Sequence, residues 1–479
     1  MDICRDSKLC GGCSYQGVPY EEQLKNKEGE TKSLLDRKDI RYGEFIEIEP
    51  APDRFGYRNK MEYTFGDMEK GGPMTLGMHR KKHFMSIVTV DECQLVHEDF
   101  NRVLRAVLDF VSSRGYSHYH KKTHKGLMRH LILRRGVRTG ELLVNVVTSS
   151  EEGFDEEAFT SMILSLPLEN RVAGVLRTIN DRLADAVYCD ELRVLYGRDY
   201  YEEEIMGLKF KVSAFSFFQT NVEAVEKLYS YAIGLIDDFE SKKVFDLYCG
   251  TGTISQAMAK SAGEVVGIEI VEEAVRAAEE NAAYNGIENC RFISGDVFEV
   301  LDSLPENEKP DVIVVDPPRV GISANALDKI IGYGVDQIVY ISCNPKSLAE
   351  NLYYMQYYGY EVRSVKPFDN FPGTKHTETV VLLSKLNTKQ HVEVELNLDE
   401  LDLTAAESKA TYEEIKAYVL EKFGLKVSSL YISQVKRKCG LDVGQNYNLP
   451  KKENAKVPQC PPEKEAAIME ALKHFQMLE

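Results

Sequence analysis

The chain has 479 residues, 43% hydrophobic and 28% charged, a length that suits two to four domains with substantial cores. That mix excludes wholesale disorder, a collagen-like repeat and a low-complexity chain. A net charge of −17 argues against a polyanionic partner for the chain at large, and no run approaches the roughly 18 apolar residues of a membrane span.

The first segment, residues 1–53, opens on MDICRDSKLC without an apolar leader core, so an unsecreted, soluble, cytoplasmic protein is expected. It holds Cys4, Cys10 and Cys13 and a polar helical stretch from Tyr20 to Arg37. Ten cysteines in a reducing compartment are expected to be free thiols, ligands or nucleophiles rather than disulfides. Residues 54–215 read as strand-rich, with the runs MEYTF, SIVTV, HLILRR, ELLVNVV and VAGVLRT, and a hairpin at Arg138-Thr139-Gly140. From Arg54 to Glu141, 17 Lys and Arg face 9 Asp and Glu, and seven of the ten histidines fall in the same stretch. This basic segment is either a nucleic-acid footprint or an ordinary solvated face.

From about residue 216 to 387 the pattern becomes strand-then-helix: KVFDLY, EVVGIEI, CRFIS, DVIVVD, QIVYIS, EVRSVKP and TVVLLS, with amphipathic helices between the first six. Such alternation predicts an α/β fold with a mostly parallel, doubly wound sheet. Residues 388–479 follow as an acidic linker (near Glu393 to Glu407) and a helical extension. There Thr411 and Glu414 make a capping box for a helix closed by Gly424, and Ser428 or Ser429 caps LYISQVKRKC, stopped at Gly440. The pair reads as a helix-turn-helix or as a plain helical tail.

Phe245-Asp246-Leu247-Tyr248-Cys249-Gly250-Thr251-Gly252-Thr253 stands where the first strand of this alternation turns into its helix. Gly250 and Gly252 permit a tight turn and close backbone approach to a ligand. Glu269 ends the next strand, 19 residues on, placed to accept hydrogen bonds from ribose hydroxyls. Ser255 occupies the third glycine position of a dinucleotide fingerprint, which favours S-adenosyl-L-methionine, a ligand without a pyrophosphate. Asp296, closing the third strand, is a candidate for the adenine.

Asp316-Pro317-Pro318-Arg319 and Ser342-Cys343-Asn344-Pro345 end the fourth and fifth strands, where ligands bind in open α/β sheets. An aromatic after DPP would suit amino methylation of a base; Arg319 stands there instead. Alone, Cys343 would be read as a small buried residue. Beside a methyl-donor loop and at a helix N-terminus, which lowers a thiol pKa, it reads as a nucleophile. Pyrimidine C5 needs one, because thiolate addition at C6 turns C5 into an enolate carbon able to attack a sulfonium methyl. A base must then remove the C5 proton; Glu378, in FPGTKHTE, is the candidate and His376 its rival.

Together, Phe218-Gln219-Thr220-Asn221, DLYCGTG, Glu269, DPPRVG, SCNP and HTETVVLL resemble the RNA uracil-5-methyltransferase family over roughly residues 1–386. The resemblance implies a class I methyltransferase domain and a donor held by Gln219, Tyr248, Gly250, Gly252, Thr253, Glu269, Asp296 and Asp316. It implies Cys343 as nucleophile, Glu378 as proton acceptor, and Asp316 as a second contact to the target uracil. Cys4, Cys10, Cys13 and Cys93 resemble the [4Fe-4S] site of the family's 23S ribosomal-RNA branch; four thiolates would equally hold structural zinc. The implied reaction is uracil-C5 methylation of RNA, 23S ribosomal RNA first and tRNA second, by a monomer whose basic 54–215 region binds the RNA. A non-catalytic iron–sulfur RNA-binding protein and a cytosine or DNA methyltransferase are the remaining readings. The other cysteines, at 189, 249, 290, 439 and 460, are expected to be structural. The stretch after about residue 388 lies outside the family pattern.

Overall fold

The computed structural model describes residues 3–386 except 185, 306 and 307, and, further on, 412–423, 425, 427–439 and 460–474. Contacts divide the chain into two compact units, residues 1–387 and 388–479.

The larger unit begins with helix α1 (Tyr20–Asp36) and strand β1 (Tyr42–Phe45). A seven-stranded sheet follows, built from β2 (Lys60–Asp67), β3 (Met74–Arg80), β4 (His83–Thr89), β5 (Met128–Arg135), β6 (Glu141–Thr148), β7 (Arg171–Ile179) and β8 (Glu191–Gly197). Its order is β4-β3-β2-β5-β6-β7-β8, antiparallel except for β6 and β7. That parallel pair needs a crossover, which helix α3 (Glu156–Ser165) supplies. Helix α2 (Glu98–Ser113) buries Val103, Leu104, Val107, Phe110 and Val111 at helical spacing against Leu131, Leu133, Val144 and Val146 of the sheet. The hairpin β9 (Tyr200–Ile205) and β10 (Leu208–Ser213) leads on to the second sheet.

That sheet has eight strands: β1 with β11 (Lys243–Leu247), β12 (Glu264–Glu269), β13 (Cys290–Ser294), β14 (Val312–Val315), β15 (Gln337–Ser342), β16 (Tyr360–Phe368) and β17 (Glu378–Lys385). In the order β1-β16-β17-β15-β14-β11-β12-β13, all neighbours are parallel except those of β17. Successive side chains point to opposite faces, and both faces are covered, so these strands read as unbroken apolar runs. Phe245, Ile313 and Ile338 pack on one side with α1, α7 (Val297–Ser303), α8 (Ala324–Tyr333) and α9 (Pro345–Tyr357). Val244, Val312 and Val339 pack on the other with α4 (Val222–Gly234), α5 (Thr253–Ala259) and the β9–β10 hairpin. Helix α6 (Glu272–Tyr284) packs Val275, Ala278 and Ala282 against Phe292 beside the β12 and β13 ends.

The doubly wound sheet is as the alternation predicts. Local pattern does not reveal that residues 20–45 belong to it: α1 lies in its helix layer and β1 extends its edge beside β16. In the smaller unit, α10 (Tyr412–Phe423), α11 (Ser429–Lys438) and α12 (Pro462–His474) bury Ile415, Val419, Ile432, Val435, Ile468 and Leu472 together. Two of these helices were expected. The acidic linker and the capping residues Thr411, Gly424 and Gly440 lie outside the described residues. Among the described residues no helix is long and apolar enough to cross a membrane.

Candidate active site

Strand β11 has β12 on one side and β14 on the other, with chain order reversing there, so a crevice opens at the strands' carboxyl ends. A cavity of about 920 Å³ fills it. Its wall includes Gln219, Tyr248, Gly250, Thr253, Glu269, Asp316, Cys343, His376 and Glu378, residues drawn from six separate loops and strand ends. The seven-stranded sheet contributes Met61 and Met78 to the same cavity, with Arg58 just before β2.

The β11–α5 turn is held in unusual backbone. Tyr248, Gly250 and Gly252 all have positive φ (67°, 55° and 72°), which glycine adopts freely and tyrosine only under constraint. The constraint is visible: the Tyr248 and Cys249 amides both donate to the Ile268 carbonyl, at 2.9 and 3.1 Å. Glu269 braces the turn from β12, one oxygen accepting from the Gly250 amide (3.0 Å) and the other from Val271 (3.0 Å). Two of the expected donor contacts stand apart from the wall. Gly252 lies beneath the turn against Phe292, and Asp296 caps α7 by accepting from the Phe298 amide at 2.9 Å. Asp296 still acts on the cavity electrostatically, since its charge adds to the burial that pushes the Tyr248 hydroxyl up to about 12.

At the other end of the cavity, the DPPR and SCNP motifs are tied together: Asn344 Nδ2 and Ser347 Oγ donate to the Arg319 carbonyl at 2.8 and 3.1 Å. Glu378, first residue of β17, pairs in register with Phe368, the last of β16. Asp316 and Glu378 share the cavity wall, and Asp246, fully buried outside the lining, lies near enough to Asp316 to feel its charge. Burial pushes the Asp316 carboxyl up to about 7. Burial, reinforced by Asp316, pushes Glu378 up to about 8. Asp246, whose Oδ2 accepts from Ser255, is likewise raised to about 7 and keeps Oδ1 without a partner. Uncompensated carboxyls of this kind fit a cationic ligand such as a sulfonium with its α-ammonium group.

The thiol expectation needs correcting. Cys343 precedes α9, yet its pKa rises to about 11, because burial and the Glu378 and Asp316 carboxyls outweigh the favourable Arg319 charge. His376 is also on the wall, and burial with nearby cations lowers its pKa, so it stands as a neutral imidazole. Sequence reasoning missed Tyr229, on α4, whose buried hydroxyl accepts from Gln219 Nε2 at 3.2 Å and faces Asp316. Nothing separates it in sequence from any inward-facing helix residue.

Cys4, Cys10, Cys13 and Cys93 are free, half-buried thiols; burial, with neighbouring thiols adding to it, raises the pKa of Cys10 and Cys13 and pushes that of Cys93 up to about 12. The Gly12 amide donates to Cys10 Sγ at 3.3 Å. Among the described residues, however, no three His, Cys, Asp or Glu side chains are arranged to hold a metal ion. This arrangement therefore does not show the metal-ligand expectation; a single zinc ion would need all four ligands drawn to one point. A donor set of four thiols does fit a four-iron cluster chemically, since each iron takes its own thiolate.

The profile of the tRNA (uracil-5-)-methyltransferase family matches residues 188–386. The chain is 46% identical to an uncharacterized RNA methyltransferase of Clostridium tetani, over 79% of this chain and 83% of that protein. It is 48% identical to one of Clostridium acetobutylicum, over 80% and 83%. The crystal structure of a Pyrococcus abyssi tRNA (uracil-54, C5)-methyltransferase in complex with S-adenosyl-L-homocysteine is 25% identical, with a TM-score of 0.65 over 80% of this chain and 88% of that one. A doubly wound sheet, a crevice at its switch point and these likenesses establish that the chain belongs to the RNA uracil-5-methyltransferase family and is an S-adenosyl-L-methionine-dependent RNA methyltransferase.

Proposed function

We propose that the protein methylates C5 of a uridine in 23S ribosomal RNA, with Cys343 as nucleophile and Glu378 as general base. The observation that carries this is the meeting of the Cys343 thiol, the Glu378 and Asp316 carboxyls and the donor turn on one cavity wall. The donor, held by Gln219, Tyr248, Gly250, Thr253, Glu269 and Asp316, with Gly252 shaping the turn and Asp296 acting on Tyr248, supplies an electrophilic methyl and a positive charge. That charge, set beside raised carboxyls and a raised thiol, favours their ionised forms. Cys343 then adds to C6 as thiolate, and C5 attacks the donor methyl as the S–CH3 bond breaks, its pair staying on sulfur so that a neutral thioether leaves. The C5 proton passes to Glu378, its bonding pair restores C5=C6, and the C6–S pair returns to Cys343 as the bond breaks. His376 is the alternative base.

The target uridine must leave its stack to reach a closed cavity, at about a few kcal/mol. Exposed cations on the seven-stranded part, among them Lys70, Lys82, Lys122 and Lys125, suit a phosphate backbone. Several others in that stretch are already used: Arg129 and Arg134 are buried, Arg129 donating to the Asn180, Arg182 and Ala184 carbonyls. Cys4, Cys10, Cys13 and Cys93 are assigned to a [4Fe-4S] cluster, on the strength of the four-thiol donor set and the resemblance to the ribosomal-RNA branch. Ten free cysteines suit the reducing cytoplasm, and the protein is proposed to act as a monomer. A second reading, the same chemistry on tRNA, draws support from the solved tRNA enzyme and from the match to the tRNA (uracil-5-)-methyltransferase family.

The test uses anaerobically purified full chain, with iron and sulfide quantified, labelled donor, and unmodified 23S ribosomal RNA and tRNA in separate reactions. 5-Methyluridine in ribosomal RNA alone is expected, and Cys343→Ala should abolish it while donor binding persists. Product in tRNA alone moves the substrate to the second reading. Normal turnover by Cys343→Ala refutes the covalent mechanism.

A further inference from the structure

The proposed base stands at the end of an unusual connection. Residues 369–377 join β16 to β17 without regular structure, and both His376 and Glu378 hang on their path. A loop of this kind has conformational freedom that must be removed before a carboxyl can meet a C5 proton at the right distance. Its restraints come from far away in sequence. Lys27, on α1, is fully buried; its ammonium donates to the buried Asp369 carboxylate and to the Phe371 carbonyl (3.1 Å). The buried Tyr57 hydroxyl donates to the Pro372 carbonyl at 3.0 Å. At Gly373 the amide donates to Gln23 Oε1 (3.0 Å) and the carbonyl accepts from the Tyr15 amide (3.0 Å). Three consecutive carbonyls and one amide are thus fixed by the N-terminal region, and neither Lys27 nor Tyr57 lines the cavity.

A buried lysine is an expensive way to hold a loop if packing were the only purpose, because the charge must be matched by a carboxylate in the same dry space. Its two bonds span Asp369 and Phe371, so the first turn of the loop cannot rotate without breaking one of them. We propose that Lys27 and Tyr57 are positioning residues for proton removal, holding the 369–377 loop so that Glu378 reaches the methylated C5. This rests on the reading of Glu378 as the base. In the step concerned, the C5 proton moves to the Glu378 carboxylate while the C5–H pair forms C5=C6 and the C6–S pair returns to Cys343. Thiolate addition and methyl transfer precede it and draw on Cys343 and the donor turn, which the loop does not carry. Loosening the loop should slow release and spare transfer, a split that general destabilisation does not produce.

The experiment compares native protein, Glu378→Gln, Lys27→Met and Tyr57→Phe in single turnover on unmodified 23S ribosomal RNA and on tRNA with labelled donor. It follows label entering the denaturant-stable RNA–protein adduct and label released as 5-methyluridine, together with each variant's thermal midpoint. Glu378→Gln should trap methylated adduct. Tyr57→Phe and Lys27→Met should accumulate it too, with release slowed about tenfold or more and methyl transfer within about threefold of native. Tyr57→Phe, which removes one hydroxyl from an unchanged ring, decides the matter if Lys27→Met does not fold. Equal loss of both steps, or native release by Tyr57→Phe, overturns the positioning role while leaving Glu378 as base. Normal release by Glu378→Gln overturns the base and the positioning role together.

Discussion

Replacing Glu378 by glutamine should stabilise the ligand-free protein, by an amount that grows with pH. The carboxyl is buried on the cavity wall, and burial with Asp316 raises it from an ordinary 4.5 to about 8. A carboxyl whose folded pKa lies above its unfolded one contributes its full stability only below the unfolded value. That stability is lost as pH rises from about 4.5 through about 8, because the unfolded chain releases the proton first. With about 1.4 kcal/mol per unit, the cost of keeping Glu378 in the fold is about 1 kcal/mol at pH 5, about 3 at pH 7 and about 4 at pH 8. These are upper values, since water in the cavity solvates part of the charge. Glutamine keeps the shape and abolishes the titration. For a 387-residue unit losing about 2.1 cal/mol/K per residue, about 3 kcal/mol corresponds to a rise of roughly 4 °C in thermal midpoint at neutral pH. Calorimetry of native and Glu378→Gln protein without donor or RNA, at about pH 5, 7 and 8, measures it. A midpoint difference that stays constant across that range would refute the reasoning, because it would mean the native carboxyl ionises as freely in the fold as in water.

Adduct release should be faster at higher pH, because Glu378 accepts a proton only as carboxylate and its pKa is raised rather than lowered. A release rate that is flat from roughly pH 6 to 9 would point away from this residue as the base. At the donor turn, Gly252→Ala would place a methyl 2.7 Å from the Phe292 ring and 2.9 Å from Ala278 Cβ, in backbone with φ of 72°. A loss of roughly 2 kcal/mol or more is expected by chemical denaturation, with weaker donor binding; unchanged stability would mean the turn relaxes freely.

Local pattern along the chain is enough to specify part of this protein. Unbroken apolar runs alternating with amphipathic helices specified a parallel sheet covered on both faces, and strand-end motifs named Asp316, Cys343 and the donor turn, because ligands bind at strand carboxyl ends. Tertiary structure alone decided the rest. That Cys343 is raised, against the expectation from its place before a helix, follows from its burial and from two carboxyls brought from the ends of β14 and β17, strands that flank its own β15. Asp296 reads as a donor contact in sequence, and the fold adds that its Oδ1 caps α7 by accepting from the Phe298 amide, a role that local pattern does not distinguish from the first. Lys27 looks like any cation on a polar helix. Only the fold sets it against Asp369, 342 residues away, and makes it a clamp, because long-range pairing leaves no periodic trace in the residues that take part.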